Sequence, residues 1–328
     1  ERWVGSLGSD HVDVLALTAE LLYLTTWAGR ASGAVDLGAD LLKRAARLLP
    51  PTHPTALAAA AHHTLALAWD GRAALALAIG KSTADRATLA LGPHHPTSLL
   101  ALANTTSAYG WLGDHGQARQ MGWLAYERAN WALGPDHALT LHAAAMFSYA
   151  ALWLGEIDHA HQLAQQSYER ARRVHADDHP TTLWLASTLA FAWIRLGRID
   201  DAWQLAKDSH GRAAAAMGAD HTVTLVAGSV AGLAALRAGA IDHMRAVANP
   251  TWHGLVRVHG VDHPVALGVA TTICLGSAAA ADAGLCALTF AWDTSMRSVG
   301  AFGFDHPNSV NARRSAEALD TLHRLKVN

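Results

Sequence analysis

Histidine is the residue type in this chain best suited to chemistry, with 21 copies among 328 residues. An imidazole can ligate a metal, relay a proton or activate a nucleophile. Eight of them, His11, His53, His95, His137, His179, His221, His263 and His306, recur at six steps of 42 residues and a last step of 43. Asp precedes the histidine in six copies, and several copies read Asp-His-x-x-Thr, the residue types of a nucleophilic triad. A catalytic centre needs one asymmetric constellation, whereas eight copies in register mark a structural joint. The pairs His62-His63, His94-His95 and His159-x-His161 lack the remaining ligands of a closed zinc site. Neither Gly-x-x-x-x-Gly-Lys-Ser/Thr nor Gly-x-Ser-x-Gly occurs. No catalytic residue, metal or cofactor is therefore expected. If the joint histidines are buried neutral, helix should be lost between about pH 7 and 5.

Three other columns keep the same step. Trp27, Trp69, Trp111 and Trp153 each stand two residues before a glycine, and Arg195 and Arg237 continue that column. The tryptophans suit either packing between helices or a stacking wall for a ligand. The arginines suit a carboxylate or phosphate partner, or a snorkelling solvent-exposed position. Arg44, Arg86, Arg128, Arg170 and Arg212 fall near the ends of expected helices. They are read as complements to the helix dipole, with an acidic-ligand track as the alternative.

The elements that must position these side chains follow from the period. Gly29, Gly71, Gly113, Gly155, Gly197 and Gly239 sit 42 apart, and Ala34, Ala76, Ala118, Ala160 and Ala202 follow the first five. Between joint and glycine lies one helical stretch, such as 181–196, and between glycine and the next joint another, such as 200–217. Pro after the joint histidine suits a first helical turn. Joint Asp and Thr are expected to cap the first helix, and Ser32, Asp158, Asp200 and Asp242 the second. Glycine permits a left-handed C-terminal cap, and the alanine column allows close helix approach. Modules are expected at 11–52, 53–94, 95–136, 137–178, 179–220, 221–262 and 263–305, with a polar cap at 306–328. Pro250 is expected to break or kink its helix. It marks 242–285 as irregular, by harmless drift or as a partner contact.

Composition excludes several classes. Apolar residues make up 51% and charged residues 16%, which rules out disorder. A net charge of −2 rules out a cationic nucleic-acid binder. Cys274 and Cys286 are too few for a disulfide framework, so a reducing, cytoplasmic setting is expected. The uncharged run 265–281 holds glycines and threonines and ends at Asp282, so no membrane span is expected. The chain starts at Glu1 and is read as a piece of a longer polypeptide. Its Ala-, Gly- and Arg-rich usage points to a high-GC bacterial genome.

Leu154-Gly155 to Ala160 and Leu196-Gly197 to Ala202 look like the inter-helix turn of tetratricopeptide repeats. The joint Gly-x-Asp-His-Pro-x-Thr-Leu resembles that of the kinesin-light-chain type, whose period is this long. The resemblance covers the chain and implies an all-α, right-handed αα superhelix of about seven helix pairs plus a C-terminal capping helix. It implies a concave groove walled by first helices, with Tyr23, Trp27, Trp69, Trp111, His142, Tyr149, Trp153, Trp184, Phe191, Arg195 and Arg237 as ligand-binding residues. The paired asparagines of that family fall on Ala19-Glu20, Ala61-His62, Ala103-Asn104, Ala145-Met146 and Ser187-Thr188, so only Asn104 keeps the pattern. Arrays of this type serve as recognition ends of bacterial signalling ATPases and regulators. The expected function is a non-catalytic recognition module for a peptide or protein segment. The alternative is a sensor of an aromatic, sugar-like or anionic metabolite, and a third reading makes the groove a reaction chamber. No direct contact with nucleic acid or membrane is expected.

Overall fold

A computed structural model describes residues 8 and 10–327, and among these there are fifteen α-helices and no strand. The first helices of the seven modules are α1 (Val12–Trp27), α3 (Pro54–Trp69), α5 (Pro96–Trp111), α7 (Ala138–Trp153), α9 (Pro180–Arg195), α11 (Thr222–Arg237) and α13 (Pro264–Ala279). Their partners are α2 (Ala31–Leu48), α4 (Ala73–Leu91), α6 (His115–Leu133), α8 (Ile157–Val174), α10 (Ile199–Met217), α12 (Ile241–His259) and α14 (Leu285–Phe302). A last helix, α15 (Pro307–Val327), follows.

The joint histidine is itself the cap. In all eight copies its Nδ1 accepts the backbone N–H two residues on, at 3.1–3.3 Å. Nδ1 must therefore be unprotonated, which places the proton of the neutral ring on Nε2. Asp10, Asp136, Asp220 and Asp262 do not cap, contrary to expectation. Asp10, Asp136 and Asp262 instead pair with Arg44, Arg170 and Arg297 at 3.1, 3.2 and 2.9 Å, and Asp220 pairs with Arg257. Arg44 and Arg170 of the arginine column, with Arg257 and Arg297 outside it, thus tie the ends of four second helices back to the joints that open their own modules. These pairs are exposed and contribute about 0–1 kcal/mol each.

Each first helix from α1 to α11 ends on glycine in the left-handed region, with φ between 72° and 86°. After α1, Arg30 N–H reaches the Thr25 carbonyl and Gly29 N–H the Thr26 carbonyl, the two bonds of a Schellman cap. In the seventh module Ala281 takes the same place at φ 52° and makes the same two bonds, to Ala278 and, through Asp282, to Ser277. The second helices start earlier than expected. Ser32, Asp158, Asp200 and Asp242 lie inside the first turn, where the three carboxylates favour the helix dipole without capping. Among the corresponding residues, Asp114 caps with its side chain, accepting from Gln117 N–H at 3.0 Å. Pro250 does not break α12, which runs continuously from Ile241 to His259.

The chain divides into two compact units, Glu1–Leu185 and Ala186–Asn328, with the boundary inside α9. In the first unit, twelve of sixteen residues are buried in each of α3, α5 and α7, as their apolar, period-free sequences require. Second helices bury one stripe, in which Ala34, Ala76, Ala118 and Ala160 let the partner approach closely. In the second unit, Leu225, Met244, Leu255 and Val269 form one core cluster, and Cys274, Ala291, Ala316 and Leu319 another.

Candidate functional site: an aromatic cavity in the first unit

The step of 42 residues puts aromatic rings on the same face of successive first helices. Trp27 packs edge-on against Trp69 at 4.9 Å between centroids, and Tyr23 lies 6.0 Å from Trp27. Rings three modules apart also meet. Trp27 of α1 lies 5.8 Å from His142 of α7, and Trp69 of α3 stacks on Trp184 of α9 at 6.0 Å with planes 14° apart. Trp111 of α5 meets Trp184 edge-on at 6.0 Å. Modules that touch only sequence neighbours could not make these contacts, so within this unit the first helices curl until their inner faces close on one another.

Above this aromatic floor α1, α3, α5 and α7, with Thr181 of α9, leave a cavity of about 250 Å3. Glu20, Tyr23, Trp27, His62, Asn104 and His142 bring its polar and aromatic groups. Asn104 donates from Nδ2 to the Ala61 carbonyl at 2.8 Å, fastening α5 to α3. His142 Nε2 lies 3.3 Å from Ser107 Oγ. The His62 ring packs on Tyr23 at 4.9 Å, and its buried Nδ1 has no hydrogen-bond partner among the described residues.

Burial sets the electrostatics. It lowers His62 and His142 to about 4, so both are neutral at pH 7. Burial, followed by the Glu20 carboxylate, raises Tyr23 to about 12 and keeps it a phenol. The walls offer aromatic faces, neutral acceptors and a single carboxylate, a set suited to binding and ill suited to acid–base turnover. Among the described residues no group of three or more His, Cys, Asp and Glu is placed to hold a metal. None of the described helices is long and apolar enough to cross a membrane.

The residues singled out from the sequence separate into groups. Tyr23, Trp27, Trp69, Trp111, His142 and Trp184 come together as described. Of these, Tyr23, Trp27 and His142 line the cavity, whereas Trp69 is 1% exposed and packs beneath it. Tyr149 and Trp153 join His115, which stacks on Trp153 at 5.3 Å with planes 5° apart. Phe191, Arg195 and Arg237 belong to the second unit. There Phe191 is buried, and the arginines are exposed in the last turns of α9 and α11, where a cation complements the dipole. Glu20, His62 and His137 were not among the residues expected to bind ligand. The signal for Glu20 and His62 was present, since they stand in the same column as Asn104, nine residues before each turn glycine.

Residues 140–181, one full module from α7 to the start of α9, match the tetratricopeptide repeat family. That module is a tetratricopeptide repeat, and the all-α array repeats its helix pair along the chain. The array's 42-residue step and histidine joint are the features that resemble the kinesin-light-chain type. A Podosopora anserina kinesin light chain with nearly identical TPR-like repeats is 21% identical, covering 62% of this array and 97% of that chain, with a TM-score of 0.47. A Rap protein complexed with Competence and Sporulation Factor aligns over 96% of the array and 100% of its own chain, at 9% identity and a TM-score of 0.56. The apo form of RapI aligns over 96% and 84%, at 9% identity and a TM-score of 0.52. Likeness at these identities speaks to the fold alone. No curated protein matches the sequence.

Proposed function

We propose that the array is a non-catalytic recognition module that binds a peptide or protein segment on the inward face of its first helices. The observation that carries this reading is the cavity in the first unit, built by five consecutive modules over an aromatic floor. A repeat array gains its binding surface in this way, each module adding a strip of wall. The Rap protein solved with Competence and Sporulation Factor is a precedent for a bound factor on this fold. A place as the sensor region of a larger cytoplasmic regulator belongs to the same proposal. A small-molecule ligand is the second reading, favoured by walls of aromatic side chains with a few polar groups among them.

Selection from a random displayed peptide library tests the proposal. The wild-type array should enrich a defined sequence class. Ala58→Trp, which fills the cavity from its wall, should lose those peptides while keeping its Tm. Peptides that bind the filled variant equally well, or no enrichment at all, would overturn the reading. Enrichment of compounds from a metabolite extract, without any peptide, would shift it to the small-molecule sensor.

A further inference from the structure

Glu20, Tyr23 and Trp27 follow one another along α1 at steps of three and four residues, so they share one helix face, and all three line the cavity. Among the described residues Glu20 is the only carboxylate in the lining, and neither Lys nor Arg contributes to it. Burial holds His62 and His142 neutral. His137 commits its Nδ1 to the helix cap, accepting from Leu139 N–H at 3.2 Å. Asn104 has committed an amide N–H to Ala61, which leaves its Oδ1 as an acceptor. The ring faces of Tyr23 and Trp27 add negative quadrupole potential. Carboxylate, ring faces and acceptors all favour a cationic hydrogen-bond donor and disfavour an anion. The volume of about 250 Å3 falls below the roughly 300–1,000 Å3 of sites that enclose a whole small ligand, and suits one long side chain.

We propose that this cavity receives the ammonium or guanidinium end of a lysine or arginine side chain from a bound peptide, with Glu20 as its counter-charge and Tyr23 and Trp27 as its aromatic wall. The inference rests on the recognition reading above and narrows it. It also gives the first unit the opposite ligand charge to the one expected from Arg195 and Arg237.

Calorimetric titration at low salt with alanine pentapeptides carrying a central lysine, arginine, glutamate or glutamine tests it. The lysine and arginine peptides should bind about tenfold more tightly than the other two. Glu20→Gln should abolish most of that preference, and its exposed position leaves folding intact. Added salt should weaken the cationic peptides selectively. Equal binding of the glutamate peptide, or an unchanged preference in Glu20→Gln, would overturn the charge assignment and leave peptide recognition standing. n-Butylammonium binding as tightly as the lysine peptide would assign the cavity to a free amine instead. If no pentapeptide binds while library-selected peptides do, this inference alone falls; if neither binds, both readings fall.

Discussion

At the scale of single residues, Trp69 and the histidines carry the most exposed claims. Trp69 is 1% exposed and rests between Trp27 and Trp184, so Trp69→Ala empties a sealed site. The expected loss is about 3–5 kcal/mol, read as a lower Tm; an unchanged Tm would mean that the ring stands against solvent. Burial lowers His62, His142 and His259 to about 4 and His263 well below 6.5, with His259 adding to the effect at His263. A base whose folded value is depressed stabilises the fold fully above its unfolded value near 6.5. That contribution is lost as pH falls from about 6.5 toward 4, because the unfolded chain takes up protons first. Thermal melts should therefore shift downward across that window, and a Tm constant from pH 7 to 4.5 would contradict the burial of these rings. Protonation would also remove the Nδ1 acceptor from every joint cap.

At the scale of elements, the seventh module offers a clean comparison. Ala281 holds at φ 52° the left-handed cap that glycine holds in the other six modules. A Cβ is disfavoured there, so Ala281→Gly should stabilise the array by about 0.5–1 kcal/mol, measured by denaturant unfolding. A loss of stability would show that the cap gains more from its methyl than it pays in strain. Helix pairs, turn glycines and the alanine column were legible in the sequence, because a period of 42 repeats a local rule in every module. The caps were less so. Asp and Thr are common caps and histidine is not, and only the fold shows the aspartates drawn away to the arginines of their own modules. Pro250 was read as a break or kink, and α12 continues through it unbroken, packed by Met244, Ala248 and Leu255. Tertiary packing can hold a helix past a missing N–H.

At the scale of the molecule, the candidate site depends on contacts that no single module contains. The sequence places tryptophans in one column, but not that rings three modules apart meet within the first unit. Trp27 to His142 and Trp69 to Trp184 are such pairs, set by the curl of the stack. The same curl turns part of a column into floor and leaves part of it as wall. This is why core and groove, opposed in the sequence reading, both describe this column. The column of Glu20, His62 and Asn104 was read only as the place of the family's paired asparagines, for a related reason: its residue types vary, and only shared geometry unites them. The central claim, that the inward face of the first unit recognises a ligand, is tested most directly by fluorine NMR of the 5-fluorotryptophan-labelled array titrated with library-selected peptide. The account predicts that the Trp27 resonance shifts saturably while that of Trp131, exposed on α6, stays in place. A saturable shift at Trp131 with Trp27 unmoved would contradict it.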